Sequence, residues 1–227
     1  MRLKHTGKLV AAGCVALAPL AAAADTIDLN GVVRDFKRGD WSCGHSDFET
    51  AHTVSGHGDY VLVHGLTSML LGEDSKPVYN PVRPSNDTIE SADSLAQWYS
   101  DVPGINLSVP LAITLENDQE EPGGVYTYVN NAFWPIDVQL FSNEELSKNF
   151  HFTFELHTQF SYTPDQSFTF RGDDKVWVYV AGTKVIDIGG IHSSKSASVL
   201  FFDGKAFVDN DKFIDLNLNN GMTEVRS

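Results

Sequence analysis

The chain has 227 residues, with 16 basic side chains against 30 acidic ones and a formal charge of −14. That balance excludes the basic face that nucleic acids and anionic membranes need. The length suits one β-sandwich with a substantial core, or two small domains.

The N-terminus reads as an export leader over residues 1–24. Arg2, Lys4 and Lys8 form a basic start, Leu9 to Leu20 is apolar, and Ala22-Ala23-Ala24 offers a cleavage site before Asp25. The apolar run is too short and too alanine-rich for a membrane span, so no membrane insertion is expected. Ala12-Gly13-Cys14 is similar to the end of a lipobox, which would make Cys14 a lipidation site instead of placing the cut after Ala24. Past residue 24, thirteen basic residues stand against 30 acidic ones, a formal charge of −17. The expected product is a single secreted domain over residues 25–227, extracellular, at the cell surface or periplasmic. It retains Cys43 alone, which excludes an internal disulfide and leaves that thiol buried or available for a bond between molecules.

Ile27–Phe36 is a candidate opening strand, with Leu29, Val32 and Val33 apolar. Residues 43–66 hold four of the eight histidines among Gly and Ser and read as loop, as does the proline-bearing stretch Lys76–Asn86. The spacings of His45, His52, His57 and His64 match no compact zinc pattern. Ser91–Ser100 is the one predicted helix, with Ser91 or Asp93 as cap and Leu95, Trp98 and Tyr99 facing inward. Glu116–Gly124 reads as an acidic connector. From Phe150 to Tyr162 apolar and polar residues alternate, a period of two that a helix does not produce. Ser167–Phe170, Val176–Val180 and Lys184–Ile188 follow as short strands, the last two joined in a hairpin by Ala181-Gly182-Thr183. Val199–Phe202 and Phe213–Leu218 are two more, with Asp203-Gly204 as a turn.

Adjacent carboxylates at Asp173 and Asp174 follow Gly172 between two predicted strands. Neighbouring acids repel and cannot both be buried unpaired, so the turn is either a cation site or a solvated turn in which Asp173 caps backbone N–H groups. Calcium suits an all-oxygen donor set; Asp187, with Gly189 and Gly190 just beyond it, is the candidate second loop. Gly172, Lys175 and His192 flank these positions as ligand-binding candidates, and His192 is expected to bond a backbone carbonyl. Arg-Gly-Asp occurs at Arg38–Asp40 and again at Arg171–Asp173, and so short a match carries little. Trp41, Trp98, Trp134 and Trp177 could stack on sugars, with core packing as the default. No nucleophile-elbow, zinc-protease, phosphate-loop or dinucleotide pattern occurs.

Several pieces, in order, resemble the fibro-slime domain family: Val33-Arg34-Asp35-Phe36, His45-Ser46-Asp47-Phe48-Glu49, Lys76-Pro77-Val78-Tyr79, Gln97-Trp98-Tyr99, Phe133-Trp134-Pro135-Ile136-Asp137, Asn149-Phe150-His151-Phe152-Thr153-Phe154-Glu155-Leu156, Phe168–Val180 and Asp187-Ile188-Gly189-Gly190-Ile191-His192. That family is similar to protective-antigen-like β-sandwich lectin domains. The resemblance implies an all-β fold, an antiparallel jelly-roll sandwich with long N-terminal loops and at most one short helix. It also implies calcium held by Asp173 and Asp174, and binding of carbohydrate or an extracellular matrix component in adhesion. Lys175 stands where the family pattern carries a third aspartate. The family also continues past the Leu216–Leu218 strand, whereas this sequence ends at Ser227, so an open sheet edge is expected. Self-association could use that edge or Cys43. The alternatives are a structural matrix protein acting through protein–protein contacts and a carbohydrate-active enzyme.

Overall fold

Fourteen strands and one helix occur among the described residues of the computed structural model, which are 7–12, 26–48, 61–82, 89–118, 124–208, 212–216, 218 and 221–226. In chain order they are β1 (Gly7–Ala12), β2 (Thr26–Phe36), β3 (Val61–Leu62), α1 (Ala92–Trp98), β4 (Asn106–Asp118), β5 (Val125–Asn130), β6 (Phe152–Tyr162) and β7 (Ser167–Gly172). Then come β8 (Val176–Val180), β9 (Thr183–Ile188), β10 (Gly190–Ile191), β11 (Lys195–Phe202), β12 (Lys205–Val208), β13 (Lys212–Asp215) and β14 (Gly221–Arg226). The fold is an all-β antiparallel sandwich. Its strands run β13-β12-β11-β7-β1-β5-β4-β2-β6-β14-β8-β9, with β10 and β3 as a separate pair.

The alternating run becomes β6, paired with β2 over Gly31↔Leu156 to Asp35↔Phe152 and with β14 over Gly221↔Tyr162 to Arg226↔His157. Leu156 and Tyr162 point into the core as the alternation requires. Its polar side is not all solvent-facing: Glu155 is 5% exposed, and His151, just before the strand, is 0% exposed. That side of the sheet is covered by other segments.

Both two-residue hairpins use the residues their turns need. Ala181 and Gly182 have φ of 49° and 77°, and Asp203 and Gly204 have φ of 50° and 71°. Positive φ at both central positions is the type I′ requirement, and its twist matches the flanking strands. The predicted strand at Phe213–Leu218 ends earlier, at Asp215. Beyond it, Leu216 and Leu218 donate their N–H groups to the Gly204 carbonyl instead of to a strand.

β8 is apolar on both faces because both are covered. Val178 and Val180 pack with Ile186, Ile188, Val199, Phe201 and Ala206 between the layers. Trp177 and Tyr179 pack outward against Val63, Leu66, Ile89, Leu95 and Trp98. Helix α1 starts at a capping box: Ser91 Oγ accepts from Ser94 N, and Ser94 Oγ accepts from Ser91 N. A third cluster joins Leu29, Ile113, Leu115 and Leu156 across β2, β4 and β6.

One region departs from the sequence expectations. Glu116, Asn117 and Asp118 belong to β4 and pair with β5, where a connector was expected. Gly7–Ala12, inside the stretch that reads as a leader, is a strand within the sheet.

The connection before β6 carries backbone strain. Val138, Leu140, Ser142, Glu144 and Glu145 all have positive φ, between 45° and 68°. A β-branched residue in that region is a true outlier, costing about 1–2 kcal/mol. Val138 is 77% exposed, so its side chain gives little in return. The double substitution Val138→Gly/Leu140→Gly is therefore expected to stabilise the protein by about 1–2 kcal/mol, read as a higher urea midpoint at constant m. A lower midpoint would mean that the two side chains contribute more packing than their strain costs.

Candidate functional site

β7 ends at Gly172, paired with Lys195 of β11, and the chain turns through Asp173 and Asp174 into β8. The two carboxylates differ in setting: Asp173 is buried and Asp174 is exposed. Lys175 is the next residue. Its ammonium lies 5.6 Å from the centroid of the Trp98 ring, a cation–π arrangement. Burial lowers the Lys175 pKa, while the charges of Asp174 and Asp47 act to raise it.

Trp98 links this turn to the N-terminal half of the chain. Its Nε1 donates to Asp47 Oδ2 at 2.9 Å, and Asp47 Oδ1 accepts from Glu90 N at 2.8 Å. Around them Phe36, His45, Phe48 and Trp98 form a chain of ring contacts, with Trp177 6.2 Å beyond Trp98. His45 is buried, and that burial lowers its pKa. Sequence pieces more than a hundred residues apart thus converge beside the Asp173–Asp174 turn.

Asp187 accepts from three donors. Its Oδ1 accepts from Trp177 Nε1 at 3.0 Å, and its Oδ2 accepts from Gly65 N at 2.8 Å and pairs with Lys184 Nζ at 2.7 Å. It braces β9 against the loop after β3. Gly189 has a packing reason: a Cβ there would lie 2.4 Å from the Val63 carbonyl, and Gly189 O accepts from Val63 N. Gly190 has φ of 85°. His192 is buried, with Nδ1 2.9 Å from the Ser193 carbonyl, as expected from the sequence. Asp187 and Gly189 thus tie the end of β9 to the segment after β3.

Among the described residues no three of His, Cys, Asp and Glu form a metal-holding group. An ion at this turn would draw on the Asp173 and Asp174 carboxylates, on backbone carbonyls and on ligand hydroxyls, an all-oxygen set that fits calcium. Of the four histidines considered for zinc, His52 and His57 lie outside the described residues. His64 meets the Asp187 carbonyl, whereas His45 sits in the aromatic chain. Cys43 is exposed. Trp98 and Trp177 are core residues, and Trp41 is exposed under Arg38. Arg38 is held by its own Asp40 in a two-point ion pair, both contacts 2.7 Å.

Two buried polar groups were not legible in the sequence. Glu155 accepts from Arg34 Nη1 at 2.7 Å, from Lys76 Nζ, and meets His157 Nε2 at 2.7 Å; Arg34 also reaches Asp101. The adjoining recess, lined by Leu71, Pro77, Tyr99 and Tyr179, is too narrow for a sugar ring. The second group lies under the strained loop. Asp35 accepts from Asn149 Nδ2 and Phe141 N, and His151 Nδ1 is 3.7 Å from Glu144 Oε2. Burial pushes the Asp35 carboxyl up to about 6 and the His151 imidazole down to about 4. The raised Asp35 favours the fold below its ordinary pKa, and that benefit is lost as pH rises through 6. The lowered His151 favours the fold above 6.5, and that benefit is lost as pH falls toward 4. Between pH 4 and 6 the two oppose each other, so this pair should give a nearly flat stability profile there.

Comparison with known proteins gives relatives without stated activities. The chain is 37% identical over 151 residues to protein psiQ of Dictyostelium discoideum, covering 61% of this chain and 15% of psiQ. It is 32% identical over 188 residues to psiR of the same organism, covering 77% of this chain and 18% of psiR. With psiC it shares 34% over 151 residues, 61% of this chain and 29% of that one. The chain thus spans less than a third of the length of these relatives. No family model matches, and no solved structure matches. Among the described residues no helix is long and apolar enough to cross a membrane.

Proposed function

We propose that this chain is a secreted, non-catalytic binding module of fibro-slime type, which binds carbohydrate through calcium at Asp173 and Asp174. The observation that carries the reading is the geometry of the turn. Two adjacent carboxylates follow the end of β7 at the turn into β8, Asp174 exposed and Asp173 buried, with the Lys175 ammonium beside the Trp98 ring. A bound calcium ion would be left with open positions for vicinal hydroxyls of a glycan. Single-site affinity would be modest, and firm adhesion would come from many copies on a surface.

The test is a glycan array probed with the full chain in calcium and again with excess chelator. Binding to a defined glycan class that disappears with chelator supports the reading. Chelator-resistant binding, or none on a broad array, contradicts it. A matrix role through protein–protein contacts is a second reading, supported by one observation: residues 7–12, which read as leader by sequence, fill a strand position in the sheet.

A further inference from the structure

Strands β7, β11, β12 and β13 are consecutive neighbours at one end of the sheet, and their two faces are unlike. Phe168, Phe170, Val199, Phe201, Ala206 and Ile214 point inward and pack with Val178 and Ile186. The alternate positions make the outer face, and the registers set them in rows. One row runs Ser167–Leu200–Phe207–Phe213 across all four strands, and a second runs Phe202–Lys205–Asp215. On the far side of the first row Thr169 stands opposite Ser198, and Arg171 opposite Ser196.

This face carries exposed apolar surface: Phe213 is 63% exposed, Phe202 53% and Leu200 39%. The Phe207 and Phe213 rings lie 4.8 Å apart. Aromatic surface gathered in this way marks a contact site, and its polar neighbours decide which kind. Thr169 Oγ1 and Ser198 Oγ form an exposed pair 2.9 Å apart, and Arg171 Nε donates to Ser194 Oγ at 3.2 Å. The core of a protein–protein interface is depleted in Ser, Lys and Asp, yet this face interleaves all three with its rings. Apolar patches beside hydroxyls and a guanidinium suit a sugar chain, whose rings offer C–H faces within a rim of hydroxyls. Lys205 stands opposite Asp215, and the chain as a whole carries −14. A polyanionic glycan would be repelled by that charge.

The face is also continuous with the candidate site, because Arg171 lies two residues before Asp173 on the same strand. From the Arg171 row to Phe213 is four residues along the strands and three strand spacings across, roughly 20 Å. That is longer than one sugar ring, and the surface is open. An equatorially linked chain, which extends as a ribbon, fits it better than a coiled one. We propose that this outer face binds the further units of a neutral β-linked polysaccharide, running on from the unit held at the Asp173–Asp174 turn. Phe202 and Phe213 stack on ring faces, and Arg171, Thr169 and Ser198 bond hydroxyls. The proposal deepens the carbohydrate-binding reading and rests on it.

The test measures binding of the full chain, in calcium, to disaccharides and hexasaccharides of β-1,4-linked glucose, N-acetylglucosamine and mannose. At least one hexasaccharide is expected to bind about tenfold more tightly than its own disaccharide. Phe202→Ser/Phe213→Ser should cancel that gain, with disaccharide binding and the near-UV spectrum unchanged. Arg171→Ala, which leaves both rings in place, should weaken the hexasaccharide alone by about tenfold. Equal binding of short and long chains, no binding to any of them, or a double variant that keeps the gain would overturn the proposal. So would self-association of the parent that the double variant abolishes while hexasaccharide binding persists, since the face would then belong to a second copy. Chelator separates this proposal from the calcium reading. A length gain that survives chelator and is lost in the double variant leaves the face and removes the ion. Chelator-sensitive disaccharide binding without a length gain does the reverse.

Discussion

Replacing Glu155 with alanine is expected to destabilise the fold by about 3–5 kcal/mol, because it takes from the buried Arg34 guanidinium its buried carboxylate partner, leaving only the exposed Asp101. Glu155 is buried and collects Arg34, Lys76 and His157. Burial alone would raise its pKa, but the bonds from His157, Lys76 and Arg34 outweigh it and hold the carboxyl at about 2. A depressed carboxylate stabilises the fold above its ordinary pKa, and the benefit is lost as pH falls from about 4.5 toward 2. The parent should therefore lose about 3 kcal/mol over that window. Glu155→Gln keeps the shape and should remove most of this acid dependence. Urea unfolding at pH 7 and pH 3 reads both effects. A change below about 1 kcal/mol at pH 7 would mean that the network behaves as a solvated surface cluster.

Asp187→Ala should be nearly as damaging, at about 3–5 kcal/mol. The carboxylate serves three donors, and Lys184 is 3% exposed. Thr67 O and Oγ1 still accept from the Lys184 ammonium, but its charge would be uncompensated. The Trp177 and Gly65 N–H groups would lose their acceptor, at a cost of about 1–3 kcal/mol each if no water replaces it. Tryptophan fluorescence during denaturation follows the change at Trp177 directly. If Asp187→Ala were as stable as the parent but bound calcium more weakly, Asp187 would be a metal ligand and not a brace.

The elements that were legible share a local signal. The period of two at 150–162 marks β6, the apolar run marks β8, and Ser91 marks the start of α1. Ala181-Gly182 and Asp203-Gly204 mark turns that only a few residue types accept. β4 was missed although Leu107, Val109, Leu111, Ile113 and Leu115 alternate, because Pro110 interrupts the pattern. The structure shows why Pro110 is tolerated: β5 meets β4 only at Glu116–Asp118, so at Pro110 the strand pairs with β2 alone. A missing N–H on an unpaired side costs little.

For the candidate site, the sequence marks a turn but not the arrangement around it. Asp173 and Asp174 stand at the turn where their spacing put them. Their relation to Asp47, Trp98 and Lys175 depends on the packing of α1 against β8, which no local pattern encodes. Asp187 shows the limit most clearly. Its place beside Gly189-Gly190 made it a candidate for a second ligand loop, and its three partners, which no local pattern encodes, come from residues 65, 177 and 184. Glu155 and His151 fell on the polar side of an alternating strand, and distant segments cover that side.

The carbohydrate-binding reading rests on the proposed uptake of calcium at the Asp173–Asp174 turn. Its most direct test is calorimetric titration of calcium into the chelator-stripped full chain, beside the Asp173→Ala/Asp174→Ala variant. Saturable heat is expected from the parent and none from a variant that remains folded. A folded parent that takes up no calcium, or a variant that takes it up equally, would contradict it.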